Sequence, residues 1–170
     1  RGTARPGETF WFKGDREGPV TQLGVMAERP AHRLTWVLNI PEMHGRRAPG
    51  NTCIQALRAG IMGSIDRPAN NSKGCGGVMR VAPVGLFFNP ERMPQQDIDM
   101  LGAKIAALTH GHPLGYIPAA MLTHILSKIV YGGCDIRAAV VDSKAATQQL
   151  FPCDDSSCMA GLIDAAMELA

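Results

Sequence analysis

In the second half of the chain the apolar residues fall on helical spacing. Ile98, Leu101, Ile105 and Leu108 recur at steps of three and four, which predicts a helix from about Pro94 to Leu108. Asp97 and Asp99 lie in its first turns, where carboxylates suit the positive end of the helix dipole. Being two residues apart, they point to different sides of a helix and form no pair, and both are read as solvated. Leu114, Ile117, Met121, Leu122, Ile125, Leu126, Ile129 and Val130 then make a wide apolar face that runs to Gly132-Gly133. This is the strongest helix of the chain, and His124 within it is read as a core or boundary histidine satisfied by its neighbours. Asp135 is an N-cap for a helix through about Leu150, stopped by Phe151-Pro152. Asp155, Ser156 and Ser157 cap a last helix carrying Met159, Leu162, Ile163, Ala166 and Met167, which is still running at Ala170.

Upstream the pattern weakens. Residues 1–35 are punctuated every few positions by Gly or Pro, so no apolar period survives there. Phe10-Trp11-Phe12 is an aromatic cluster with no evident partner, and Trp36 to Ile40 is a short apolar piece stopped by Pro41. Asn51 or Thr52 is a good N-cap for a helix carrying Cys53, Ile54, Leu57 and Ile61, with Gly60 and Gly63 marking its end. Val78 to Phe88 is nearly all apolar and reads as a buried helix with Pro83 near its first turn. Arg80 is its one charge, and a buried guanidinium needs partners. No strand, repeat or low-complexity tract stands out. The expected fold is therefore an all-α bundle of four or five helices, occupying residues 1–170 as a single domain.

Composition narrows the field. The 170 residues are 45% hydrophobic with a net charge of +2, which supports a real core and gives no strong basic field for nucleic acid. No apolar run approaches the ~20 residues that span a bilayer. The five cysteines are scattered and form no C-x-x-C, which argues for free thiols in a reducing cytoplasm and against structural zinc. The methionines fall mostly on helical apolar faces and read as core filler.

The candidate chemistry lies in Asn71-Ser72-Lys73-Gly74-Cys75-Gly76-Gly77 and Thr109-His110-Gly111-His112. Gly74, Gly76 and Gly77 can take φ > 0 and expose backbone N–H groups beside a helix start, the makings of an anion site. A Gly-rich helix start that packs closely and binds nothing fits the same residues. The spacing is neither a P-loop nor a Rossmann turn. His110 and His112 form H-x-H, but no third metal ligand is near in sequence, so a corner histidine bonded to a ligand or carbonyl is the reading preferred. Arg46 and Arg47 are either a solvated pair or partners of an anion.

Three segments, R-R-A-P-G-N-T-C from Arg46, N-N-S-K-G-C-G-G-V-M-R-V-A-P-V-G-L from Asn70 and L-T-H-G-H-P-L-G-Y from Leu108, together resemble the ADP-ribosylglycohydrolases, a family that includes the dinitrogenase reductase-activating glycohydrolases. The resemblance implies an orthogonal all-α bundle around a cleft, two Mg²⁺ ions, and hydrolysis of the glycosidic bond between ADP-ribose and a protein side chain or a related ADP-ribosyl bond. It gives Ser72, Gly74, Cys75 and Gly76 the diphosphate of ADP-ribose, and His110 its ribose and phosphate side. It makes Arg80 a buried structural residue outside the direct contacts. The R-A-P-G-N-T variant has a bacterial character.

The family holds its metals with Gly-Asp-x-x-Gly, Thr-Asp-Asp-Thr and Asp-x-Asp-Thr/Ser motifs. Gly14-Asp15 is not read as the first. Val20-Thr21-Gln22 is not the second, and Asp154-Asp155-Ser156 is read as a pre-helix turn. The chain is therefore expected to be an incomplete hydrolase with no metal ligands and no catalytic residue of its own. Exposed apolar faces would favour a homo-oligomer. Two other readings remain: an inactive module that binds ADP-ribose or another nucleotide diphosphate, and a helical oligomerising remnant.

Overall fold

The computed structural model describes residues 50–60 and 63–169, and no strand occurs among them. The irregular segment 1–35, the apolar piece at 36–41, the Arg46-Arg47 pair and Ile61 lie outside the described residues. Six α-helices are described: α1 (Asn51–Arg58), α2 (Ala82–Phe87), α3 (Gln95–Ala107), α4 (Pro113–Gly132), α5 (Ile136–Leu150) and α6 (Asp154–Glu168), with a 3-10 turn at Val78–Arg80. The fold is all-α, with more and shorter helices in its first part than the apolar pattern suggests.

The later helices begin and end where local chemistry places them. The imidazole of His112 accepts the Leu114 N–H at the start of α4, and Pro113 follows in the first turn, where its missing N–H costs nothing. Gly133 closes α4 with φ 63°, a left-handed conformation that glycine takes without strain. The Asp135 carboxylate accepts from Ala138 N at the start of α5. The last helix differs from expectation at both ends. It starts at Asp154 after Cys153, so Asp154, Asp155 and Ser156 form its first turn and not a turn before it, and it ends at Glu168.

The apolar segment after the glycines does not form one buried helix. Pro83 has no N–H and its ring crowds the carbonyl four residues back, which disfavours a continuous ladder there. The 3-10 turn stops at Arg80 and α2 starts afresh with Pro83 in its first turn. Nor is the segment apolar-buried all round, since Met79 is 75% exposed.

Helix α4 is the centre of the bundle, with α2, α3, α5 and α6 packed against it. Val84, Ile98, Ile105, Ile117, Met121 and Met159 meet in the core. Small residues let the backbones approach. A side chain at Gly102 of α3 would run into the Thr123 hydroxyl, and one at Gly85 of α2 would lie 2.5 Å from the Thr123 carbonyl oxygen. Leu86, Ile136 and Leu162 stay exposed on the outside.

A polar junction joins α3, α4 and α5. Asp99, expected to be solvated, is only 2% exposed. Its carboxylate lies 2.7 Å from His124 Nδ1 and also accepts from Gln95 Nε2 at 2.7 Å. The other ring nitrogen of His124 faces Asp142 at 3.2 Å, and Lys128 reaches that same carboxylate at 2.6 Å. The spacing along α3 could not show this, because the partner of Asp99 comes from the next helix. His124 is the satisfied core histidine that its surroundings in α4 suggest.

Candidate functional site

The glycine-rich loop is tied to the corner between α3 and α4 by Asn70. Its side-chain N–H donates to the Thr109 carbonyl at 2.8 Å, while its oxygen accepts from Ser72 N at 3.0 Å and Gly111 N at 3.2 Å. The His112 N–H adds a bond to the Ser72 carbonyl at 3.4 Å. Gly115 at the start of α4 belongs to the same contact, since a β-carbon there would lie 2.6 Å from the Ser72 carbonyl oxygen. Two segments almost forty residues apart are thereby held in register.

The glycines are explained by His110. Its imidazole is buried under the loop, and a β-carbon at Gly74 would come within 3.3 Å of Nε2. At Gly76 it would come within 3.0 Å of Cε1 and 3.1 Å of Nε2, and at Gly77 within 2.9 Å of the Ala106 side chain. The expectation of φ > 0 is not met. Among the described residues the glycines with positive φ are Gly60 and Gly133, and Gly77 sits at φ −68°. Close approach to a ring and to α3, not backbone handedness, requires glycine here.

The ring is held on its far side. Nδ1 of His110 lies 2.9 Å from the Thr109 hydroxyl, which receives a bond from Arg80 Nη2 at 2.6 Å. The same nitrogen of Arg80 donates to the carbonyls of Ile105 and Ala106 at 2.9 and 3.0 Å, so the guanidinium closes the C-terminal end of α3, where a cation suits the negative end of the helix dipole. Burial pushes the Arg80 guanidinium down from its ordinary range, partly offset by Cys53 beside it. Its Nε is sealed and has no partner among the described residues. Cys53 Sγ reaches the Thr109 hydroxyl at 4.0 Å. His110 is held below the ordinary histidine value first by burial and then by the positive charge of Arg80, so it is neutral near pH 7.

The expected ligand residues thus gather in one place: Ser72, Gly74 and Gly76 lie around His110, with Cys75 on the exposed turn between the glycines. The Ser72 hydroxyl is engaged within the loop, accepting from Gly74 N at 3.2 Å and bonding to Thr52 at 3.4 Å. The N–H groups of Cys75, Gly76 and Gly77 take no hydrogen-bond partner among the described residues. Cys75 is exposed and Gly76 half-buried, so their N–H groups are the ones placed to meet an anion, while Gly77 is buried against α3. A strong helix dipole does not reinforce them, because a three-residue 3-10 turn follows the loop instead of a long helix.

Reading the motifs alone passed over Asn70 and Thr109, which organise the site. An Asn that can accept from the N–H two residues on, four residues before the first loop glycine, is a recognisable turn signal; nothing local marks the role of Thr109. Among the described residues no group of three or more His, Cys, Asp or Glu side chains would hold a metal ion.

No curated protein and no solved structure gives a significant match. The family model for ADP-ribosylglycohydrolase matches residues 15–170. Its start falls inside Gly14-Asp15-Arg16-Glu17-Gly18, residues that do spell Gly-Asp-x-x-Gly, so the reading of that pattern as missing is corrected. Thr-Asp-Asp-Thr and Asp-x-Asp-Thr/Ser are absent from the sequence. The match takes in the loop, the His110 corner and every described helix, and the chain belongs to the ADP-ribosylglycohydrolase family.

Proposed function

We propose that this chain binds ADP-ribose through its diphosphate at the Ser72–Gly77 loop, with His110 beneath the loop reaching the ribose and phosphate side. On this reading it serves a hydrolase that cleaves ADP-ribosyl glycosidic bonds. The observation that carries the reading is the closure of Gly74 and Gly76 over His110, with the N–H groups of Cys75 and Gly76 left without partners beside it. Backbone donors next to a fixed imidazole suit a diphosphate, whose oxygens accept from several donors at once. ADP-ribosylated protein is the substrate class that family membership supports.

The test is a calorimetric titration with ADP-ribose, with and without Mg²⁺. Binding that is lost in Gly76→Val supports the loop assignment. A folded wild-type chain that takes up no ADP-ribose under either condition overturns it.

A second reading, binding without turnover, has its own support. The described residues lack a metal-ligating cluster, and two of the three family metal motifs are absent from the sequence. Release of ADP-ribose from an ADP-ribosylated protein by this chain with Mg²⁺ would sink that reading. Retention of the label together with tight ADP-ribose binding would favour it.

A further inference from the structure

We propose that Arg80 and Thr109 are positioning residues that hold His110 as the tautomer protonated on Nε2, so that the ring meets the ligand as a hydrogen-bond donor. This rests on His110 facing ADP-ribose, and it adds what the ring does there. The Thr109 oxygen has one proton to give and two lone pairs. Arg80 can only donate, so its 2.6 Å bond occupies one lone pair and draws electron density from the hydroxyl.

The Thr109 proton then has two directions open to it. His110 Nδ1 stands at 2.9 Å and Cys53 Sγ at 4.0 Å. A ring nitrogen at the shorter distance is much the better acceptor, because sulfur is weak and the contact is long. The hydroxyl donates to Nδ1, and Nδ1 must be bare. A neutral imidazole with a bare Nδ1 carries its proton on Nε2.

That nitrogen faces the loop. It lies against Gly74 and Gly76, and among the described residues it has no hydrogen-bond partner. Burial first, and then the guanidinium, discourage a second proton on the ring, so the donor remains neutral. His110 in this state adds an N–H to the backbone N–H groups beside it, aimed at a phosphate or ribose oxygen. A base acting through Nε2 would need the opposite tautomer.

The deciding measurement is a long-range ¹H–¹⁵N spectrum of the histidines in the full chain at neutral pH, without ligand. A pyridine-like Nδ1 and a pyrrole-like Nε2 for His110 are expected. Thr109→Val, which keeps the shape and removes the hydroxyl, should shift that pattern toward the other tautomer, and Thr109→Ser should restore it. Affinity for ADP-ribose should fall about tenfold in the valine variant and recover in the serine variant.

A pyrrole-like Nδ1 in the wild type overturns the proposal, and so does an unchanged pattern in Thr109→Val. The wild-type spectrum decides even if the valine variant does not fold. Because the tautomer is read without ligand, a failure of the relay is distinguishable from a failure of ADP-ribose binding.

Discussion

His110 and His124 are both nearly sealed, at 2% and 3% exposed, yet their proton affinities move in opposite directions. Around His110 stand a hydroxyl, a guanidinium and bare glycines, and burial and Arg80 together hold it neutral. Around His124, burial again presses toward the neutral form. Here the hydrogen bonds and charges of Asp99 and Asp142 outweigh it, and the value rises above the ordinary one. Burial alone does not settle the charge of a histidine; the partners brought by neighbouring helices do. One cluster leaves a ring nitrogen without a partner, as a ligand site needs, while the other engages both ring nitrogens, as a structural joint needs.

The comparison breaks first at His124. His124→Ala should leave the buried Asp99 without its imidazole partner and cost about 3–5 kcal/mol in urea unfolding. An unchanged midpoint would mean the junction is not structural. At the loop the cost should fall on binding as well. Gly76→Val, whose side chain meets the imidazole, should lower ADP-ribose affinity by at least about tenfold. Its unfolding free energy should also fall, by about 1–3 kcal/mol and so by less than in His124→Ala, because a side chain there crowds the buried imidazole.

The pH dependence sharpens the contrast. His124 has a folded value above its unfolded value near 6.5, so its contribution to stability is fully present below pH 6.5 and is lost as pH rises through the folded value. His110 is lowered, so the unfolded chain binds a proton that the folded chain refuses, and stability is lost as pH falls below 6.5. In His124→Gln the decline above 6.5 should vanish, while the decline below it remains. Urea curves across that range check both signs.

The smallest effect is expected at Asp142. Lys128 and then His124 hold its carboxyl below the ordinary aspartate value, but the side chain is half exposed. Asp142→Asn should cost no more than about 1 kcal/mol, far less than loss of the buried partner.

Much of the helical frame was legible in the chain. The bounds of α3, α4 and α5 follow from apolar spacing and caps lying within a few residues of each end, and the free cysteines follow from their scattered placement. The break at Pro83 is also local chemistry, although the apolar run around it reads as one helix. The members of the loop site could be named from the sequence because they sit in dense, recognisable motifs. The reasons for them could not. Gly76 is defined by a ring 34 positions away, and Asp99 by a histidine 25 positions away.

The sequence by itself determined which stretches are helical, where most of them stop, and which short motifs mark the family, since these depend on neighbours along the chain. Only the tertiary structure decided that glycines serve close packing on His110, that Asp99 is a buried partner, and that Arg80 closes α3 while polarising Thr109. Each depends on which helix faces which, and that is set by core packing across the bundle rather than by any local pattern.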